Sequence, residues 1–86
     1  MKVFRSKAGK TLEIRLELDG NLIKEIEISG DFMVFPSDAI EELERKLRGR
    51  ALGEHEGVIR EVLRRAELVG ITEDDIINAI WDIARS

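Results

Sequence analysis

The chain has 86 residues, 14 of them Lys or Arg and 18 Asp or Glu, for a formal net charge of −4. That length supports one domain (1–86) with one modest core, and 43% hydrophobic with 37% charged residues argues against disorder. The acidic balance disfavours a dedicated nucleic-acid binder. The absence of cysteine excludes disulfides, thiolate metal sites and a cysteine nucleophile, and no apolar run approaches the roughly 20 residues needed to cross a bilayer. No signal-peptide core follows Lys2-Val3-Phe4-Arg5, so a cytoplasmic location is expected.

Taken in chain order, Lys2 to Ser6 is expected to add a short strand turning at Ala8-Gly9, in a register the sequence does not decide. Residues 12–18 (Leu-Glu-Ile-Arg-Leu-Glu-Leu) and 22–28 (Leu-Ile-Lys-Glu-Ile-Glu-Ile) alternate apolar and polar, the pattern of half-buried strands. Asp19-Gly20-Asn21 between them is a turn signal. A two-residue loop at Asp19-Gly20 would put the apolar residues of the two strands on opposite faces. A three-residue loop pairs Leu18 with Leu22, Ile14 with Ile26 and Leu12 with Ile28 on one face. The three-residue loop is therefore expected, with Asn21 in the left-handed conformation. On the outer face Arg15 would then meet Glu25, and Glu13 would meet Glu27.

Three helices follow. The first starts after Phe35-Pro36-Ser37, with Ser37 as N-cap, an apolar stripe of Ile40, Leu43 and Leu47, and a stop at Gly49. The second is expected from about Glu54 to Leu68, burying Val58, Ile59, Val62, Leu63 and Ala66 and ending at Gly70. The third is capped by Thr72 with Asp75 completing a short capping box, and buries Ile76, Ile77, Ile80, Ile83 and Ala84. The expected fold is α+β: a small antiparallel sheet of two to three strands, covered on one face by about three helices.

Catalytic chemistry is hard to place on this chain. His55, the single histidine, lies between Glu54 and Glu56, neighbours that point in different directions on a helix, and reads as an exposed first-turn residue. Gly49 and Gly53 lack the spacing and the following Lys-Ser or Lys-Thr of a phosphate loop. Ser29, Ser37 and Ser86 have no base in local context. Asp74-Asp75 reads as first-turn acids, and the run Arg45-Lys46-Leu47-Arg48-Gly49-Arg50 as a helix C-terminal turn whose cations complement the dipole. No catalytic and no metal-ligating residues are assigned.

The connection Ile28-Ser29-Gly30-Asp31-Phe32-Met33-Val34-Phe35-Pro36 is unusually apolar for a link between a strand and a helix. Gly30-Asp31 permits a sharp turn or bulge as the strand ends. Phe32, Met33, Val34 and Phe35 can plug the core, face a partner, or do both with alternate side chains pointing in and out. Trp81 lies about 100° off the stripe of its helix and is either at the core rim or an anchor for a partner.

From Asn21 to Phe32 the chain reads Asn-Leu-Ile-Lys-Glu-Ile-Glu-Ile-Ser-Gly-Asp-Phe, which resembles the G-x-I-K-x-I-x-I-x-G-D-F-F stretch of the accessory, C-terminal domain of lipoate–protein ligases. The acidic helix Asp38 to Glu44, the Leu47-Arg48-Gly49 end and the closing Gly70-Ile71-Thr72-Glu73-Asp74-Asp75 to Ile80 continue the likeness, which spans Leu12 to the C-terminus. Met33 stands where the family has a second Phe. The resemblance implies a separate small subunit of a two-chain ligase, since the sequence begins at Met1 without a catalytic domain. The large catalytic subunit of such a heterodimer would hold lipoate, ATP and magnesium and make lipoyl-adenylate, with no cofactor bound by this chain alone. The lipoyl group would then pass to a lysine of lipoyl-acceptor proteins. Gly30, Asp31, Phe32, Met33 and Phe35 are the residues expected to dock on the large subunit or order its loop. Two other classes remain: a general interaction module using an exposed strand edge, and nucleic-acid binding through Arg45, Lys46, Arg48 and Arg50. Neither a nucleic acid nor a membrane is expected as partner.

Overall fold

The computed structural model describes residues 2–5, by their backbone, and residues 11–85. Strands β1 (Lys2–Arg5), β2 (Leu12–Asp19) and β3 (Leu22–Gly30) form one antiparallel sheet in the order β1-β2-β3. Strand β4 (Met33–Phe35) pairs with β5 (Glu67–Val69) in a separate two-stranded ribbon. The helices are α1 (Ala39–Leu47), α2 (His55–Leu63) and α3 (Glu73–Arg85), with a 3-10 turn at Leu52–Glu54 before α2. The expected α+β fold and the N-terminal third strand are thus observed. The expected turn at Ala8-Gly9 lies outside the described residues.

The register of the β2–β3 hairpin differs from the expected one. The loop has two residues, Gly20 and Asn21, because Asp19 pairs with Leu22. Gly20, with φ 59°, rather than Asn21, takes the left-handed conformation. Parity is restored by a β-bulge: Leu18 pairs with Ile23 and Glu17 with Glu25, leaving Lys24 as the extra residue. Beyond the bulge Leu16 meets Ile26 and Ile14 meets Ile28, and all four are buried, as is Ile23. The slip puts Leu22 out and Ile23 in. On the outer face Arg15 meets Glu27, Glu13 meets Ser29, and Glu17 faces Glu25. The last, like-charged pair is relieved by Lys24 on Glu17 at 3.4 Å and Arg48 on Glu25 at 3.2 Å.

One face of the sheet is covered by the helices. The core joins Leu12, Ile14, Leu16, Ile23, Ile26 and Ile28 of the hairpin to Leu43 and Leu47 of α1, Ile59 and Leu63 of α2, and Ile76, Ile80 and Ile83 of α3. In α1, Ala39 is buried and Ile40 is half-buried. Position 38, not Ser37, precedes α1, and Asp38 makes no side-chain cap hydrogen bond. Arg45 and Lys46 fall in the last turn of α1 as expected. The chain after α1 then runs beside the start of β3. Gly49 N–H donates to the Ile23 carbonyl at 2.7 Å and Ile23 N–H to the Arg50 carbonyl at 2.8 Å.

Helix α2 is shorter than expected. It ends at Leu63, and the segment read as its last turn forms β5. The alternation Glu67-Leu68-Val69 bounded by Gly70 is a strand signal, but three residues are too few to outweigh the preceding helical period. Helix α3 buries Ile76, Ile77, Ile80 and Ile83 as expected, with Ala79 buried in place of the half-buried Ala84. Asp75 N–H donates to Thr72 Oγ1 and Thr72 N–H to Asp75 Oδ2, both at 3.0 Å.

His55 is a correction of a different kind. It is fully buried rather than exposed. Its Nδ1 lies 2.6 Å from the Leu52 carbonyl oxygen and its Nε2 3.3 Å from that of Ile77. Its ring stands edge-on to Trp81, with centroids 4.6 Å apart. Trp81 is half-buried at the core rim.

Candidate docking surface

Gly30 ends β3 at φ 153°. A Cβ there would collide with the Thr11 carbonyl oxygen. The same oxygen accepts a hydrogen bond from Asp31 N–H at 3.0 Å. The glycine thus lets the chain leave β3 tightly against the start of β2 and enter β4. Asp31 itself is exposed, and among the described residues its carboxylate has no hydrogen-bond or ionic partner.

Strand periodicity then sorts the apolar residues. Val34 faces the core, while Met33 and Phe35 are 58% and 46% exposed. Met33 sits directly opposite Val69 of β5, itself 46% exposed, and Phe35 opposite the exposed Glu67. The outer face of the ribbon is therefore an apolar strip of two long side chains and a valine. Phe32 is half-buried and packs against the core. Of the three alternatives open for this segment, alternation of side chains in and out is the one observed.

Beside the strip lies an open groove of about 590 Å³ between the end of β3, β4 and the N-terminal half of α1. Four of the five residues singled out in the sequence, Gly30, Phe32, Met33 and Phe35, line it, and Asp31 does not. The opposite wall is Ile40, Glu41 and Glu44 of α1. Glu44 is tied down: its Oε2 accepts a hydrogen bond from Ile28 N–H at 2.7 Å. Sequence reasoning missed Val69, because β5 was read as helix. It also missed Ile40 and Glu41 as groove residues, because helical period alone does not say which strand a helix flank meets.

Among the described residues no group of three or more His, Asp or Glu could hold a metal ion. Both ring nitrogens of His55 face backbone carbonyls inside the core. Arg60 links α2 to the start of α3, donating to Asp74 at 2.7 Å and to Glu56 and Glu73 at 3.4 Å. The hydrogen bond to Asp74 raises the guanidinium pKa further above its ordinary value. Of the basic run at the end of α1, Lys46 pairs with Glu42 and Arg48 with Glu25. No helix among the described residues is long and apolar enough to cross a membrane.

Comparison with known proteins places the chain as a whole. Residues 5–80 match the family described as bacterial lipoate protein ligase C-terminus. The chain is 39% identical over 80 residues to lipoate-protein ligase A subunit 2 of Thermoplasma acidophilum, covering 92% of this chain and 84% of the relative. It is also similar, at a TM-score of 0.80 and 38% identity, to a solved chain from a study of an archaeal lipoylation system. That system is a bi-partite lipoate protein ligase and its E2 lipoyl domain from Thermoplasma acidophilum, and the match covers 92% of this chain and 90% of the solved one.

Proposed function

The chain belongs to the family of bacterial lipoate protein ligase C-termini, and on that premise we propose that it is the non-catalytic small subunit of a two-chain lipoate–protein ligase. Similarity over 92% of the chain to a protein named subunit 2 of such a ligase is the observation that carries this reading. A subunit that assists needs a docking face, and the exposed apolar strip of Met33, Phe35 and Val69 supports that part of the reading.

In this reading a large catalytic subunit holds lipoate, ATP and magnesium, makes lipoyl-adenylate, and passes the lipoyl group to a lysine of acceptor proteins in the cytoplasm. The carboxylates of the groove do not compose a magnesium site: Glu44 is committed to the Ile28 amide, and no group of three acidic or histidine ligands gathers among the described residues. The small subunit docks through Met33, Phe35 and the groove beside them, with Gly30 and Asp31 shaping the turn that presents them. Docking then favours the adenylation-competent arrangement of the large subunit by binding that state more tightly.

The test is lipoate-dependent ATP–pyrophosphate exchange by the cognate large subunit, with and without this chain. Exchange that rises strongly on adding the chain, with none from the chain alone, supports an accessory subunit acting at adenylation. An active large subunit that is indifferent to the chain would leave a general interaction module in its place.

A further inference from the structure

The groove is apolar along its strand side and carries two carboxylates beside Ile40 along its helix side. Ile28, Phe32 and Val34 lie on one side, Glu41 and Glu44 on the other, and no Lys or Arg is among the described residues lining it. Other exposed carboxylates lie near it, and on α1 the exposed Arg45 follows Glu41 by one turn. Glu67 stands opposite Phe35 in the ribbon, and Asp31 and Asp38 flank β4 and the start of α1. Glu42 and Glu25 pair with Lys46 and Arg48, whereas Glu41 and Glu67 have no basic partner among the described residues.

Resting on the proposed role as a ligase subunit, we infer that the large subunit covers β4 with an apolar segment flanked by lysine or arginine, and that a cation of that segment pairs with Glu41. The apolar side chains fill the space beside Met33 and Phe35 and form the dry centre of the contact. The cation lies at the rim, where charges govern the speed of encounter and the choice of partner more than the lifetime of the complex. An acidic partner segment would meet Glu41 and Glu67 as like charges and be rejected. The division of labour is therefore specific: the two exposed apolar residues of β4 hold the complex, and the acidic wall selects and steers it.

The experiment measures association and dissociation rates of the two purified subunits across a range of salt concentrations. Glu41→Lys is expected to slow association about tenfold at low salt and to flatten its salt dependence, with dissociation changed less than twofold. Phe35→Ala is expected to speed dissociation about tenfold or more and leave the salt dependence intact. Glu61→Lys, the same charge change on the exposed surface of α2, is expected to behave nearly as wild type. Equal slowing by Glu41→Lys and Glu61→Lys would mean a diffuse charge effect and overturn the assignment to Glu41. A Glu41→Lys protein that associates normally, yet slows transfer from preformed lipoyl-adenylate to an acceptor lipoyl domain, would also overturn it by making the acceptor the occupant. Phe35→Ala and Met33→Ala both without effect on a wild-type complex would move the docking face elsewhere. Absence of any wild-type complex would remove the parent reading, and this one with it.

Discussion

The carboxylate of Glu44 reaches from the middle of α1 to the backbone N–H of Ile28, at 2.7 Å. Strand β3 has β2 on one side only, and its opposite edge is partly covered near its start by residues 49–52. Further along, Glu44 takes the place of a neighbouring strand for one amide. This blunts an edge that could otherwise pair with another chain, and it fixes the helix wall of the groove. Hydrogen bonds to a charged group contribute about 1.5–3 kcal/mol, and an orphaned donor costs a similar amount. Glu44→Ala is therefore expected to lower stability by about 2 kcal/mol, and Glu44→Gln, which keeps an acceptor oxygen, by about half that. Denaturant titration checks the order, and slower exchange of the Ile28 amide in the wild type than in Glu44→Ala identifies the bond responsible.

Two glycines make a matched contrast. Gly20 and Gly30 both have positive φ, 59° and 153°. An added Cβ meets nothing at Gly20 and strikes the Thr11 backbone at Gly30. Gly20→Ala is expected to cost only the left-handed penalty, about 1–2 kcal/mol. Gly30→Ala must move Thr11 or lose the Asp31 to Thr11 hydrogen bond as well, and is expected to cost at least about 3 kcal/mol. Equal losses by thermal unfolding would show that the turn into β4 relaxes freely.

Thr72 and Asp75 satisfy one another's backbone N–H groups at the start of α3. Each Ala substitution is expected to cost about 1 kcal/mol. Because both bonds close the same turn, the double variant should lose less than the sum, by about 0.5 kcal/mol. Strict additivity in a double-mutant cycle would mean that the two bonds form independently.

His55 is expected to behave as a core residue. It fixes the 3-10 turn through Leu52, reaches α3 through Ile77, and packs edge-on against Trp81. His55→Ala removes a large buried side chain and two polar contacts, an expected loss of about 3 kcal/mol. His55→Phe keeps the volume and the ring contact and is expected to lose about 1–2 kcal/mol. Trp81 fluorescence should shift in the first variant and change little in the second.

His55 also shows where sequence reading stops. Its neighbours Glu54 and Glu56 suggested a solvated turn, but burial is set by α3, 22 residues away, and no local pattern encodes that. The hairpin failed for a related reason. Counting parity from the turn demanded an odd loop, whereas the chain corrected parity with a bulge at Lys24, a device without a sequence signal of its own. What was legible was periodic or chemical. Strands β1 to β3, the helical positions Leu43, Leu47, Ile59, Leu63, Ile76, Ile77, Ile80 and Ile83, and the Thr72–Asp75 cap follow from spacing. The groove residues Gly30, Phe32, Met33 and Phe35 were found because apolar side chains in a connection need an explanation. Val69 was not, since its pairing with Met33 is long-range.

Met33 and Phe35 supply the sharpest separation of folding from function. Neither belongs to the core, being 58% and 46% exposed, whereas Val34 between them is buried. Met33→Ala and Phe35→Ala are expected to change stability by less than about 1 kcal/mol, as surface substitutions do. Leu63→Ala, in the core of α2 and away from the groove, is expected to cost about 3 kcal/mol, through lost burial and a cavity. In complex formation with the large ligase subunit the order should reverse. Residues at the dry centre of an interface commonly cost 2 kcal/mol or more on truncation, roughly thirtyfold in affinity. Met33→Ala with Phe35→Ala should therefore abolish stimulation of ATP–pyrophosphate exchange at subunit concentrations that saturate the wild type. Leu63→Ala, a core truncation outside the groove and still folded at low temperature, should stimulate almost normally. A double variant that is folded and fully stimulatory would show that these two side chains are exposed for some purpose other than docking.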